Sequence, residues 1–203
     1  ALSDGWVDQP VPGDTHQGLI AAGRIDEPLI GLNSFDAAWT ETRSWWWRRR
    51  FAWQSHWAGA GVVELELNGL DAQGEIFLNG RHVGSHVNAF RPWRQDVKRH
   101  LREGDNELLI RLSAGVERFS EDDVRRPDGF ATPPQRERND PRRVLVRKPQ
   151  YSFGWDWSPR VPTTAIAGDV KLRAIRDCAI RQVSARFVRH GAQVLCKASA
   201  VVD

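Results

Sequence analysis

The residues best suited to chemistry lie in one short aromatic segment, Tyr151-Ser152-Phe153-Gly154-Trp155-Asp156-Trp157-Ser158-Pro159. In an extended conformation its four rings would share one face, and Asp156 would share the other face with small residues. A carboxylate with small neighbours has room to accept two hydrogen bonds from adjacent sugar hydroxyls. The plainer alternatives are a solvated acid or an acid paired with Arg147, Lys148 or Arg160. Asp156 is therefore the candidate ligand for a hydroxyl-rich molecule.

The histidines do not form a second catalytic constellation. His16, His82 and His86 occur singly, without the partner spacing of a metal site or a catalytic triad. We expect His16 to hydrogen-bond to backbone, and His86 and Asn88 to shape a hairpin loop. The sequence gives no reason to expect a metal or a cofactor.

Tryptophan is unusually frequent, with ten residues against one tyrosine. Sugar sites use aromatic faces, but cores and domain interfaces use them too, because each ring buries roughly 150–250 Å². We expect most of these rings to be buried in the core or against another domain. Twenty-nine basic and 26 acidic residues are interspersed and give a net charge of +3, so the clustered charge of a nucleic-acid-binding protein is missing.

Two cysteines, Cys178 and Cys196, lie near the end of the sequence without metal-ligand spacing, and we expect buried free thiols. The sequence has no Asn-x-Ser/Thr site. Both features agree with a reducing, cytoplasmic location in a bacterium, and a periplasmic or secreted location stays open. Apolar runs of only a few residues predict no membrane span.

The dominant hydrophobic period is two, which is typical of β-strands with one buried face. Val62–Leu67 alternates apolar residues with Glu64 and Glu66, which we interpret as solvated strand-surface acids. Glu75–Gly84 contains Asn79-Gly80, a dipeptide typical of a type I′ hairpin turn. Further strands are predicted around Leu108–Leu112 and Val170–Ala174, and together they indicate an all-β antiparallel sandwich, a jelly roll.

Helical pattern is scarce, with two turns predicted over Asp14–Ala22, capped by Asp14, and one turn over Asp96–Leu101. Residues 117–143 are highly charged and contain prolines, so we predict a surface excursion in which Asp122-Asp123 is solvated. The apolar alternation restarts after residue 176. We therefore divide the chain into one domain over 1–176 and the first strands of a second β domain over 177–203.

Several motifs together resemble family 2 β-mannosidases. Arg147-Lys148-Pro149-Gln150 followed by Gly154–Pro159 is similar to the GWDWGP signature of that branch and its arginine-lysine approach. Other motifs fit the same domain in the same order, among them Asn68-Gly69-Leu70-Asp71, Leu78-Asn79-Gly80 and His86-Val87-Asn88-Ala89-Phe90. Of these, the Leu-Asn-Gly motif occurs throughout family 2. The resemblance covers residues 5–175. Two departures are Ser158 in place of the signature glycine and the plain Ala165–Asp169 segment.

The resemblance implies a galactose-binding-like jelly roll followed by an immunoglobulin-like domain and a (β/α)₈ barrel. The barrel, absent from this chain, would carry the two glutamates of a retaining exo-β-mannosidase, so this chain alone would have no catalytic residue and no activity. It would bind the terminal β-mannoside through Asp156, with Trp155 shaping the pocket and Trp157 assigned to packing. Its partners would be the sugar and the missing C-terminal domains, with no nucleic acid and no membrane.

Three other interpretations stay open from the sequence. A free-standing carbohydrate-binding module would share the jelly roll and the aromatic residues. Another family 2 exo-glycosidase, a β-galactosidase or an exo-β-glucosaminidase, would share the common motifs. A purely structural domain that braces the barrel would hold Asp156 in a salt bridge.

Overall fold

The computed structural model describes residues 5–120, 122–124 and 140–202. Most elements are strands, in chain order β1 Gly13–Asp14, β2 Trp45–Ala52, β3 Val62–Leu67, β4 Leu70–Asp71, β5 Gln73–Leu78, β6 Arg81–His86, β7 Trp93–Asp96, β8 Asp105–Ser113, β9 Phe153–Trp155, β10 Ser158–Arg160, β11 Ala165–Ile166, β12 Val170–Ile175, β13 Ile180–His190 and β14 Gln193–Val202. The α-helices are α1 Thr15–Ala21 and α2 Asn33–Asp36. Short 3₁₀ helices span Ala38–Thr42, Ser55–Trp57, Lys98–His100, Val116–Arg118, Asp122–Val124, Pro141–Leu145 and Gln150–Ser152.

Two antiparallel sheets face each other as a sandwich. One sheet has the strand order β2-β8-β5-β6 and the other β12-β3-β7. Apolar side chains of these strands, together with three from neighbouring segments, form a buried cluster that consists of Leu65, Leu67, Leu70, Ile76, Leu78, Val97, Leu108, Ile110, Leu112 and Ile166. A second buried cluster, formed by Trp57, Ala60 and Val63, shares partly buried apolar neighbours with the first, among them Phe51 and Leu172. The predicted all-β sandwich is confirmed.

Three short segments adopt the local structure that their sequence predicts. Asn79 and Gly80 have φ of 53° and 78° and join β5 to β6, as a type I′ turn requires. Asn79 is the one non-glycine residue with positive φ in the described part of the chain. The Asp14 side chain accepts a hydrogen bond from the Gln17 backbone N–H and caps α1, as predicted. The Asp96–Leu101 turn is the 3₁₀ helix Lys98–His100.

The interpretation of Glu64 and Glu66 as solvated acids is wrong. β3 is the middle strand of its sheet, and its acidic face is covered as well as its apolar face. Arg94 donates to Glu66 at 2.8 Å from the neighbouring strand β7, and Arg181 pairs with Glu64 from β13. The hydrogen bond from Arg94 is the main reason why the pKa of Glu66 lies below its usual range. Alternation revealed two faces, but not that arginines would cover the second.

The last two strands, β13 and β14, pair only with each other in the described part of the chain. Their register places apolar side chains together on one face, where Val183 is opposite Ala200, Ala185 is opposite Ala198 and Phe187 is opposite Cys196. Val183 and Phe187 are 67% and 69% exposed.

Cys178 and Cys196 are free as predicted, but both are exposed, so the expectation of buried thiols is wrong.

Two small sheets complete the fold. β1, β11 and β4 form a three-stranded sheet, and β9 and β10 form a two-stranded hairpin. The surface excursion predicted over 117–143 lies largely outside the described residues; within it, Asp122 and Asp123 are exposed on a short 3₁₀ helix. Among the helices that the structure describes, none has the length and apolarity needed to cross a membrane.

Candidate functional site

Asp156 lies at the tip of a hairpin that projects from the sandwich. β9 and β10 pair in the register Trp155↔Ser158 and Phe153↔Arg160, which leaves Asp156 and Trp157 as the two turn residues. The extended conformation considered for 151–159 is therefore not the one that this segment adopts. Residues that favour turns occur at four positions here, Gly154, Asp156, Ser158 and Pro159, and their presence was the available signal for this bend.

The base of the hairpin is anchored by burial and by one glycine. Phe153 is fully buried, although it belongs to the same ring series as the exposed residues beyond it. Gly154 has φ of 100°, a conformation that glycine adopts without strain because it has no Cβ. Ser158, which departs from the signature glycine, does not have a positive φ, so a serine side chain is accommodated there.

Asp156 is exposed and has no hydrogen-bond or ion-pair partner among the described residues. Two of the cations that were candidates to neutralise it bind other acids. Lys148 pairs with Asp71, and Arg160 pairs with Glu41 at 3.0 Å. The third, Arg147, forms no ion pair within the part of the chain that the structure describes. The salt bridge that a purely structural role predicted for Asp156 is absent from these residues, and the carboxylate faces solvent.

Three exposed rings surround the tip. Trp155 is 52% exposed, and the Arg143 guanidinium carbon lies 5.7 Å from its ring centroid. Trp157 is 70% exposed, and its ring centroid lies 5.4 Å from that of Tyr151. The assignment of Trp157 to packing is therefore wrong for the described structure, because the buried ring of the segment is Phe153. Exposed rings beside a free carboxylate can pack against C–H groups while the acid accepts hydroxyl hydrogen bonds.

A buried lysine closes the loop that carries the hairpin. Lys148 is 2% exposed, and its ammonium donates to Asp71 on β4 and to the Thr163 carbonyl at 2.7 Å. Burial lowers the pKa of Lys148 and raises that of Asp71, and the attraction between the two charges opposes both effects. The ammonium thus joins both ends of residues 148–163 to a strand of the sandwich.

The approach to the hairpin is held by the Gln150 amide. Its Nε2 lies within hydrogen-bonding distance of the carbonyls of Arg143, Val146 and Lys148, and the closest of the three is Arg143 at 2.9 Å. The Arg143 guanidinium in turn donates to the Gln150 carbonyl at 3.3 Å. This exchange of hydrogen bonds fixes the segment from which Tyr151 and the hairpin project.

The three histidines considered in the sequence analysis interact with residues other than Asp156. His16 is buried and contacts the Thr40 hydroxyl at 3.0 Å, so the predicted hydrogen bond to backbone is replaced by one to a side chain. His82 lies 2.6 Å from Glu75 on the exposed face of its hairpin. His86 is buried, and burial lowers its pKa. The loop that follows it meets the Arg147 segment, where Ala89 donates to the Arg147 carbonyl at 2.9 Å.

Comparison with known proteins gives the family. Residues 1–168 match the glycosyl hydrolase 2 galactose-binding domain-like family. The chain belongs to this family. Beta-mannosidase B of Emericella nidulans is 35% identical over 175 residues, which are 83% of this chain and 20% of that protein. The structure of the β-D-mannosidase of Dictyoglomus thermophilum superimposes with a TM-score of 0.86 at 30% identity, over 99% of this chain and 24% of that one.

Membership of the glycosyl hydrolase 2 family confirms the predicted galactose-binding-like fold. A β-glucuronidase from an uncultured Clostridium species, 16% identical with a TM-score of 0.62, shows the same fold over 100% of this chain and 29% of that one. The chain spans about a fifth of the length of the curated β-mannosidase relatives it matches.

Proposed function

We propose that this chain is the sugar-binding domain of a retaining exo-β-mannosidase and that Asp156 binds hydroxyls of the terminal, non-reducing mannose. The observation that supports the proposal is the exposed, unpaired carboxylate at the hairpin tip, between Trp155 and Trp157. An acid without a protein partner keeps its acceptor capacity for a ligand, and exposed rings offer faces for the pyranose. The identities of 30–35% to two β-mannosidases favour mannosides among family 2 substrates.

In this proposal the hairpin binds and orients the sugar, and it performs no bond cleavage. A retaining glycosidase needs an acid/base and a nucleophile with carboxyls about 5–5.5 Å apart, and we assign that pair to a catalytic barrel outside this chain. A group that orients the bound sugar, even one remote from the reacting carbon, reduces the entropy that is lost when the transition state forms. The chain alone is therefore expected to be inactive.

We further propose that β13 and β14 begin a second, immunoglobulin-like domain. An isolated two-stranded ribbon is marginally stable in water, and this one exposes an apolar face that includes Val183, Phe187 and Val194. Another layer of strands on that face would remove it from solvent. The Arg181–Glu64 pair would then join the two domains.

Replacing Asp156 in the full-length enzyme tests the main proposal. Asp156→Ala removes acceptors of charge-assisted hydrogen bonds, each with a net contribution of about 1.5–3 kcal/mol, so kcat/KM towards a β-mannoside should fall about 10²-fold or more. Asp105→Ala is the matched control, because Asp105 is also exposed and belongs to a different sheet, where it lies opposite Ala52, the last residue of β2. Unchanged kinetics for Asp156→Ala would reject the assignment.

Calorimetry on the 203-residue chain separates the enzyme domain from a free-standing module. A module should bind mannose or mannobiose on its own, because its site is complete. The proposed domain should show weak or undetectable heat, since the rest of the pocket belongs to another part of the protein. Micromolar binding that Asp156→Ala abolishes would favour the module.

A further inference from the structure

We infer that Arg160 is a positioning residue that holds the Asp156 hairpin in place through Glu41, an inference that rests on the proposed function. Arg160 is the last residue of β10, four positions after Asp156. Its Nε lies 3.0 and 3.3 Å from the two Glu41 carboxylate oxygens, and its Nη2 lies 3.1 Å from Oε1. This forked geometry fixes direction as well as distance, which a single point contact does not.

The hairpin needs such an anchor because its own pairing is short. β9 and β10 share two residue pairs and have no third strand beside them in the described structure. Two-stranded hairpins of this size are marginal in water. The Ser158 hydroxyl bonds only to the neighbouring Pro159 carbonyl. Within the described residues, the side-chain hydrogen bonds from β10 to the body of the domain are therefore those of Arg160.

The acid that receives Arg160 is on a rigid support. Glu41 follows Thr40 in the 3₁₀ helix Ala38–Thr42, and Thr40 is 4% exposed. The Thr40 carbonyl accepts from the Trp45 indole at 3.0 Å, and its hydroxyl contacts His16 at 3.0 Å. The ion pair thus ties a short hairpin to a well-anchored helix 119 residues earlier in the chain.

Partial burial strengthens this tie relative to a surface pair. The Arg160 and Glu41 side chains are 27% and 20% exposed, whereas those of the comparable Arg50–Glu107 pair are 72% and 33% exposed. The Arg160 guanidinium carbon also lies 5.6 Å from the centroid of the buried Phe153 ring. Loss of the fork would release β10, and a shift of about 1 Å at a binding group can cost about 10²-fold in rate.

The experiment uses the full-length protein with Arg160→Gln, Glu41→Gln and the charge-swapped double variant Glu41→Arg/Arg160→Glu. Arg50→Gln is the matched control, because it breaks an arginine–glutamate pair of similar length, 3.1 Å, away from the hairpin. Hydrogen exchange of peptides covering 151–162 should quicken in both single variants, slow again in the swap and stay unchanged in the control. Unchanged exchange in Arg160→Gln overturns the inference.

Kinetics show whether the tie acts through Asp156. Arg160→Gln should lower kcat/KM about 10- to 100-fold in the wild-type background and less than twofold in the Asp156→Ala background, because the group being positioned is then gone. If Arg160→Gln instead lowers kcat/KM by the same factor in both backgrounds, Arg160 supports only the fold, and the inference is overturned. If Asp156→Ala alone changes nothing, the proposed function fails, while the exchange experiment still decides whether Arg160 holds the hairpin.

A conservative variant covers the case in which Arg160→Gln does not fold. Arg160→Lys keeps the charge but loses the planar fork, so it should fold and show intermediate exchange in 151–162. Exchange identical to that of the wild type would contradict the role assigned to the forked geometry and overturn the inference.

Discussion

Removing the Lys148 ammonium should destabilise the domain far more than removing an exposed lysine. The Lys148 side chain is 0% exposed and that of Asp71 is 14% exposed, so Lys148→Met leaves a buried carboxylate without its cation. Breaking a buried pair in this way costs about 3–5 kcal/mol. The Thr163 carbonyl also loses its donor from Lys148. With a urea m-value of about 2 kcal/mol/M for a domain of this size, the unfolding midpoint should fall by about 1.5–2.5 M.

The assay is urea unfolding followed by tryptophan fluorescence, with two comparison variants. Lys148→Met/Asp71→Asn removes both charges, so it should recover a large part of the loss. Lys171→Met breaks an ion pair with Asp169 in which both side chains are about half exposed. This variant should leave the unfolding midpoint unchanged within error. If the double variant is no more stable than Lys148→Met, the uncompensated carboxylate is not the cause of the loss.

The pH dependence of this penalty gives an independent check. Burial raises the pKa of Asp71, and Lys148→Met removes the cation that opposes this effect. The folded variant therefore binds protons more tightly than the unfolded chain, and its stability falls as pH rises from the unfolded pKa of about 3.8 through the folded pKa. The difference between variant and wild type should be smaller at pH 5 than at pH 7. A penalty that is constant between these values would refute the argument.

Two further predictions concern the stability of the fold. Burial lowers the pKa of His16, so the folded state binds its proton less tightly than the unfolded state, and stability should fall as pH drops below about 6.5. Thermal melts of His16→Gln should therefore depend less on pH between 7 and 5.5 than those of the wild type. An identical slope would contradict this. Phe153→Ala should cost about 3–5 kcal/mol in urea unfolding because the ring is fully buried, whereas Trp157→Ala should cost less than about 1 kcal/mol; the reverse order would restore the packing role predicted for Trp157.

Features set by neighbouring residues were predictable from the sequence. The Asn79-Gly80 turn and the Asp14 cap depend on backbone conformation and on hydrogen bonds within a few residues, so their residue types determine them. The strand pattern of the sandwich follows from the period of two, since each strand covers the same core. At position 156 the local motif indicated a candidate ligand, but it left open whether the acid is solvated or paired with a cation.

Features that depend on distant partners were not predictable in the same way. Glu41 and Arg160 are separated by 119 residues, and Lys148 and Asp71 by 77, so no local pattern matches these charges. The acids of β3 were misread because alternation shows that a strand has two faces but not what covers each of them. The faces of the ring series could not be assigned from the sequence, because alternation is equally consistent with one strand and with two strands around a turn.

The distribution of charge around the hairpin explains why Asp156 would act only in a completed pocket. Three cations of the neighbouring segments bind other acids: Lys148 binds Asp71, Arg160 binds Glu41, and Arg142 binds Asp140 at 2.7 Å. Arg147 forms no ion pair among the described residues, and it does not pair with Asp156 either. An exposed carboxylate at an open tip is hydrated, and water competes with sugar hydroxyls at a high effective dielectric constant. A second surface that excludes water would strengthen the same hydrogen bonds without changing the hairpin. The free acid therefore costs the isolated domain little, and its contribution to sugar binding should emerge once another part of the protein closes the site.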